Sequence, residues 1–291
     1  MLTKTVNLFG KNYNLKNYNC LTKKSKKHPK LNLYIKINQV CFSYCRFCNH
    51  ENNFESEIDL EYLSRVIQKL YDENLLNRIG ITGGEPLYDI DLLNEVLSLV
   101  FKITKGNNLV TINTNGEFLE DVHKIIFLKD IYGVHVSRHH YLDEFNNEIH
   151  QNNVVGKKVL GEINKTLPPK LLRLNCNLIE GYVDNLKKVH NYLEHASQIG
   201  VERVGFIGLM RVNGYCQGVK VNMNDVIKDI KEDEKIIIIN SSKEKDICQC
   251  FNWAYISSTG KIIDSYFRQL HKLECAYVRQ FIFDENGFAV R

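Results

Sequence analysis

Leu31-Asn32-Leu33-Tyr34-Ile35-Lys36-Ile37-Asn38-Gln39-Val40-Cys41-Phe42-Ser43-Tyr44-Cys45-Arg46-Phe47-Cys48 runs from a strand straight into a cysteine-rich loop. Apolar and polar residues alternate through Leu31 to Asn38, with Leu33, Ile35 and Ile37 in phase, the period of a strand with one face in a core. Three cysteines then fall on the loop at the strand's C-terminal end. The same strand-to-helix rhythm continues downstream. Ile58 to Leu76 carries apolar residues near helical spacing (Leu63, Val66, Ile67, Leu70, Tyr71), and Ile79 to Thr82 is the next strand. Helices are expected at Asp89 to Phe101 and near Leu119 to Leu128, with strands at Leu109 to Asn113 and Ile131 to Ser137. Residues 139–168 are polar and show no clear period. Leu171 to Ile179 is a further strand, Val183 to Ile199 a helix stopped by Gly200, and Val201 to Met210 a strand.

Alternation of this length implies parallel pairing through right-handed crossovers. The expected fold class is therefore α/β, a partial TIM-like barrel of six βα units, with a doubly wound open sheet as the alternative. Either one builds its chemistry at the C-terminal ends of the strands. After Met210 the pattern changes. Ile236 to Ile239 is a continuous apolar run, and Trp253 to Ser258 with Lys261 to Tyr266 around Ser258-Thr259-Gly260 reads as a hairpin. The expected division is a polar basic lead-in at 1–30, the barrel at 31–215 and a small α+β appendage at 216–291. The charge run Lys23 to Lys30 reads as a solvated face.

The chain has 291 residues, 38 basic against 34 acidic, and 44% hydrophobic content. This composition excludes disorder, collagen and coiled coil, and a net charge of +4 gives no case for nucleic acid. No apolar run approaches the roughly 20 residues that span a bilayer, and Met1-Leu2-Thr3-Lys4-Thr5 lacks a secretion signal. The expected compartment is the cytoplasm. Nine cysteines, an odd number, do not form a disulfide framework there. They point to metal or redox chemistry.

Cys41, Cys45 and Cys48 on one short loop suit an iron–sulfur cluster with one iron left open to a small molecule. A structural zinc completed by a residue such as His50 is the other reading of the spacing. At the next strand end stands Thr82-Gly83-Gly84-Glu85-Pro86, where two glycines expose backbone and a carboxylate can meet an ammonium group. Together these two motifs resemble the radical S-adenosylmethionine superfamily, whose CxxxCxΦC form is matched with Phe47 as the aromatic Φ. The resemblance covers residues 31–210.

It implies that Cys41, Cys45 and Cys48 hold a 4Fe–4S cluster whose open iron binds S-adenosylmethionine. Phe47 would lie along the adenine, while Gly83, Gly84 and Glu85 would meet the amino group. Reductive cleavage of the sulfonium would then yield a 5′-deoxyadenosyl radical that abstracts hydrogen from the substrate. Thr111-Ile112-Asn113-Thr114-Asn115-Gly116, Val136-Ser137 and Val204 to Met210 are similar to segments of the branch holding the GTP cyclase of molybdenum-cofactor synthesis and related twitch/SPASM-type enzymes. By that likeness Thr114, Ser137 and Met210 join the cofactor contacts.

The substrate positions depart from the cyclase. Arg173-Leu174-Asn175 retains a basic residue, but Gly80, Asn252 and Ala254 stand where the cyclase has arginines, and the cyclase's C-terminal Gly-Gly is absent. Cofactor machinery kept and substrate changed is the implied reading. Its second-cluster spacing also departs, leaving Cys216, Cys248, Cys250 and Cys275 as candidate ligands of an auxiliary cluster. Arg138, Arg173 and Asn175 are candidate substrate contacts, His139 a candidate acid or base, and Cys176 a candidate hydrogen donor inside the barrel. Cys20 takes no role.

The expected reaction is oxidation or rearrangement of a small polar molecule, with modification of a ribosomally made peptide as the alternative and a zinc-stabilised binding module as a remote one. About 30 residues before the first strand are too few for a leader-peptide recognition domain. A reducing partner such as flavodoxin or ferredoxin is expected, and no membrane.

Overall fold

The computed structural model describes residues 3–16, 30–209, 213–218, 221, 223–241, 250–268 and 280–290. Met210, Cys248, Cys275 and most of the basic run lie outside the described residues.

The chain starts with an antiparallel hairpin of β1 (Thr3–Leu8) and β2 (Lys11–Lys16). Sequence reading treats this stretch as a solvated lead-in, yet Val6, Leu8 and Leu15 are buried and join the main core. Its signal is a short period-two pattern diluted by asparagine and lysine. Next come β3 (Leu31–Lys36), α1 (Leu60–Asp72), β4 (Leu76–Thr82), α2 (Ile90–Thr104), β5 (Leu109–Thr114) and β6 (Gly133–Ser137). Two helices, α3 (Asp143–His150) and α4 (Lys157–Thr166), precede β7 (Leu172–Leu178), α5 (Leu186–Gln198) and β8 (Arg203–Gly208).

Each element follows its local chemistry. In α1 the buried residues Leu63, Val66, Ile67 and Leu70 recur at helical spacing, and the Asp59 side chain caps the helix by accepting from the Tyr62 amide at 2.8 Å. Asp89 does the same for α2 through the Leu92 amide at 2.9 Å. The helix expected near Leu119 to Leu128 is only a 3-10 turn, Leu119–Lys124, because four charged or imidazole side chains in six positions leave just Leu119 and Val122 to bury.

Strands β3 to β8 pair in parallel, each with the next, as the alternation requires. The remaining elements are α6 (Gly214–Gly218), α7 (Met223–Glu232), β9 (Ile236–Ser241), β10 (Phe251–Ile256), β11 (Ile262–Arg268), β12 (Phe281–Asp284) and β13 (Gly287–Val290). The strands among them extend the same sheet at both edges. Its eleven strands run β13-β12-β3-β4-β5-β6-β7-β8-β11-β10-β9, with β12 parallel to β3 and β11 parallel to β8.

Alternation divides each strand between two environments. In β7 Leu172, Leu174, Cys176 and Leu178 are buried against the helices, while Arg173, Asn175 and Asn177 take the other face. Side chains from β3 to β8 and from β10 and β11 line one cavity of about 590 Å³, so the sheet curves around a lumen. No helix among the described residues is long and apolar enough to cross a membrane.

Candidate active site

The cysteine loop is fixed by contact between two backbones. Strand β3 continues through Asn38 to Val40 alongside Gly83 and Gly84, with the Gly84 amide donating to Asn38 O at 2.9 Å and the Glu85 amide to Val40 O at 2.6 Å. A β-carbon on Gly84 would lie 2.1 Å from Val40 O, and one on Gly83, whose φ is +147°, would lie 2.5 Å from Asn38 O. Glycine is required at both positions by this approach. The Asn52 side chain then accepts from the Cys41 amide at 2.7 Å, and the Cys48 amide donates to Cys45 O at 2.9 Å.

Cys41, Cys45 and Cys48 line a cavity of about 630 Å³ together with Phe47, Gly83, Gly84 and Ser137. Among the described residues no three Cys, His, Asp or Glu side chains already stand in a metal-holding arrangement. Burial, then the neighbouring thiols Cys48 and Cys41, push the Cys45 thiol up to about 12, and burial raises Cys41 as well. Three thiolates crowded here without a cation would repel one another; iron would reverse that balance by replacing their protons. The donor set and the room beside it therefore fit a thiolate-bound cluster.

Other residues organise around the thiols. Cys45 Sγ is 3.5 Å from His150 Nδ1, and His150 Nε2 is 3.1 Å from Ser137 O. The His150 ring stacks on His139 at 5.0 Å, and Phe47 meets His139 edge-on at 5.0 Å. Asn115 Nδ2 reaches Ser43 Oγ at 3.1 Å and Cys41 Sγ at 3.6 Å. His50 also lines the cavity, with Nε2 3.0 Å from Gln39 O. Sequence reading misses His150 and Asn115: the first sits in the stretch without a period, and the second carries no signal beyond its own Thr-Asn-Gly motif.

Glu85 has a different use from the expected one. It is fully buried and does not line the cavity; Oε1 accepts from the Leu87 amide at 3.0 Å and Thr114 Oγ1 at 2.7 Å, while Oε2 accepts from the Asn115 amide at 2.7 Å. Burial pushes Glu85 up to about 7 against the lowering effect of these donors. Its carboxylate ties the end of β5 to the Gly83–Gly84 turn. Thr114, by contrast, does reach the cavity wall.

Three further expectations are corrected. Cys176 lies on the helix side of β7, fully buried, with Sγ 3.4 Å from His139 O, so it cannot meet a substrate in the lumen. His139 does line the cluster cavity, but its Nδ1 accepts from the Asn177 amide at 3.0 Å, and burial followed by the charge of His150 holds it well below its ordinary pKa. It is a neutral wall residue at pH 7. Arg138 is only 1% exposed and is spent on Asp143, Val155 O and Tyr141 O.

That pairing carries stability. Burial would raise the Asp143 pKa, but the Arg138 bond and the Lys157 amide outweigh it, and the net shift is downward. The stabilisation is thus complete above the ordinary aspartate range and lost as pH falls through the depressed folded value. Asp143→Asn is expected to cost about 1 kcal/mol at neutral pH, because it weakens bonds to a buried guanidinium from a carboxylate that solvent partly screens. Urea unfolding should show that gap narrowing below about pH 4.

Arg173 and Asn175 face the second cavity, the lumen, which meets the cysteine cavity at Asn113. Of the candidate auxiliary ligands, Cys216 is buried with Sγ 3.6 Å from Phe47 O, and Cys250 is buried near the start of β10. Asn213, three residues before Cys216, donates to Arg46 O at 3.0 Å and Cys48 O at 3.3 Å. This strap holds the cysteine loop from outside.

Residues 35–213 match the family model described as the radical SAM superfamily. Among solved structures, SuiB from Streptococcus suis bound to S-adenosylmethionine superposes with a TM-score of 0.53 at 18% identity, over 70% of this chain and 47% of that one. SuiB bound to the precursor peptide SuiA gives 0.51 at 18% identity, over 70% and 44%. The anSMEcpe structure with AdoMet and the Cp18Cys peptide gives 0.51 at 17% identity, over 70% and 58%. The chain spans about half the length of the SuiB structures it matches. No curated protein matches it in sequence.

Proposed function

Because this chain belongs to the radical SAM superfamily, we propose that it uses a 4Fe–4S cluster and S-adenosylmethionine to abstract hydrogen from a small polar substrate, leading to oxidation or rearrangement. The observation that carries this reading is the sharing of one cavity wall by Cys41, Cys45, Cys48, Gly83 and Gly84. When bound, the cluster and S-adenosylmethionine supply one-electron cleavage of the sulfonium and the 5′-deoxyadenosyl radical.

The protein's own residues do the positioning. The three cysteines would hold the cluster, with Asn115 donating toward Cys41 and the Asn213 strap fixing the loop. Phe47 and the stacked His139 and His150 form a dry wall that keeps water from a reactive species. Gly83, Gly84, Thr114 and Ser137 would line the cofactor, and Glu85 would act through Thr114 and Asn115. Substrate would approach from the lumen past Asn113.

We also propose the division into a barrel at 31–215 and an appendage at 216–291, a cytoplasmic location, and a reducing partner such as flavodoxin or ferredoxin. Cys216, Cys248, Cys250 and Cys275 remain the proposed ligands of an auxiliary cluster. Anaerobic reconstitution checks it: about eight irons per chain supports two clusters and about four removes the second.

Peptide modification is the second reading, favoured by the peptides named in the SuiB and anSMEcpe structures. Anaerobic incubation with S-adenosylmethionine and dithionite tests the main proposal. Release of 5′-deoxyadenosine from a brown protein is expected; a colourless protein that binds zinc and releases none would return the chain to the binding-module reading.

A further inference from the structure

The lumen carries an unusual concentration of positive charge. Two aromatic rings each support two guanidinium groups: Arg78 and Arg203 lie over Tyr132 at 5.1 and 4.6 Å, and Arg173 and Arg268 lie over Tyr266 at 5.0 and 4.6 Å. Strand pairing sets His135 beside Asn113 on β5 and beside Arg173 on β7, while Arg78 pairs with Leu109 and Arg268 with Ile207, so the guanidinium groups are spread along the lumen. Gly205 makes room for the second platform. A β-carbon there would lie 2.4 Å from the Tyr266 hydroxyl, which bonds Asn175 Oδ1 at 2.8 Å.

Two of the four arginines are spent within the protein. Arg203 donates to Lys170 O at 2.7 Å and Tyr132 O at 3.3 Å, and Arg268 donates to Phe251 O, Phe267 O and Asn252 Oδ1. Arg78 Nε, Arg173 Nε and Arg203 Nη2 are buried with no hydrogen-bond partner, and of these three arginines only Arg78 and Arg173 line the lumen. Asp264 is the lone carboxylate among the described lining residues, and it pairs with Lys170 at 3.2 Å at the lumen's rim. Burial and then Arg173, Arg203 and Arg78 hold His135 down at about 3, so it adds no charge and reports the positive field.

Buried guanidinium donors without partners are costly unless a ligand supplies the acceptors. Planar guanidinium forks match carboxylate and phosphate oxygens in pairs. We infer that the lumen binds an oxyanion, a carboxylate or a phosphate on a small substrate, between Arg78 and Arg173. The anion sits deep in the lumen and the rest of the molecule extends past Asn113 toward the cysteine cavity. Only this last placement rests on the proposed function; the anion site stands on the lumen itself. It also explains how the chain can lack arginines at Gly80, Asn252 and Ala254 and still hold an acid. Arg78 shares the lumen face of β4 with Gly80, two residues away.

Calorimetric titration of the full chain with inorganic phosphate, and separately with succinate, at constant ionic strength tests the inference without any turnover. One saturable site for at least one anion is expected, weakened about tenfold or more in Arg173→Gln and in Arg78→Gln. Arg65→Gln, on the exposed face of α1, should leave it unchanged. Preference for phosphate identifies a phosphorylated substrate, and preference for succinate a carboxylic acid. Arg173→Lys, which keeps the charge but loses the fork, should bind with intermediate strength if the glutamine variants fail to fold. Absence of saturable binding, or full-strength binding in both glutamine variants, overturns the site. Loss of S-adenosylmethionine cleavage with anion binding intact would instead count against the proposed function alone.

Discussion

Cys45→Ala is expected to abolish 5′-deoxyadenosine release and to leave the reconstituted protein without iron-dependent colour. Cys45 is the middle residue of the triplet, and its thiol is held at about 12 by burial and by Cys48 and Cys41. A site that resists forming thiolates releases protons only when a metal compensates them. Removing the central donor leaves two thiols on a short loop, too few to hold a cluster that needs one iron open and three bound. The iron-free fold should be little affected, since a single sulfur at a cavity wall supports few packing contacts, and a change within about 1 kcal/mol is expected in urea unfolding. Cys176→Ala is the matched control. Its sulfur faces the helices, so cleavage should persist there. Cleavage persisting in Cys45→Ala would remove the cluster assignment.

What can be read from sequence divides along physical lines. The strand at Leu31 and its cysteine loop are legible because a period of two and a metal-ligand spacing are both local patterns. The face of Cys176 is equally local, since it falls in phase with Leu172, Leu174 and Leu178; the thiol's chemistry suggests a role that its parity denies. Arg138 is not legible in this way. A charged residue after a strand reads as solvated, and its burial depends on Asp143 and on Val155 O from a stretch with no period. The lumen arginines combine both cases. Each occupies a lumen-facing position on its strand, but their meeting on Tyr132 and Tyr266 requires the sheet's curvature, which no single strand encodes. Glu85 shows the limit of motif transfer: its position is right, while its partners in this chain are protein donors.

Gly84→Ala carries the second large expected effect. The added methyl carbon would sit 2.1 Å from Val40 O and 2.6 Å from Val40 N, and both are backbone atoms that cannot rotate aside. Relief requires separating the two chain segments that the Gly84 and Glu85 amides now join at 2.9 and 2.6 Å. Overpacking of this kind costs about 3 kcal/mol. The functional loss should exceed the stability loss, because Val40 immediately precedes Cys41 and any shift passes directly into the cluster loop. A displacement near 1 Å at a reacting centre lowers rates about a hundredfold, so cleavage should fall at least that far even where the variant remains folded. Gly214→Ala, whose added methyl would have nothing within 4 Å, sets the baseline for an ordinary substitution near the same loop. Cleavage by Gly84→Ala at the rate of Gly214→Ala would mean that the close approach of Val40 does not position the thiols. A folded but inactive Gly84→Ala that takes up less iron would place the glycine's role in the backbone contact itself.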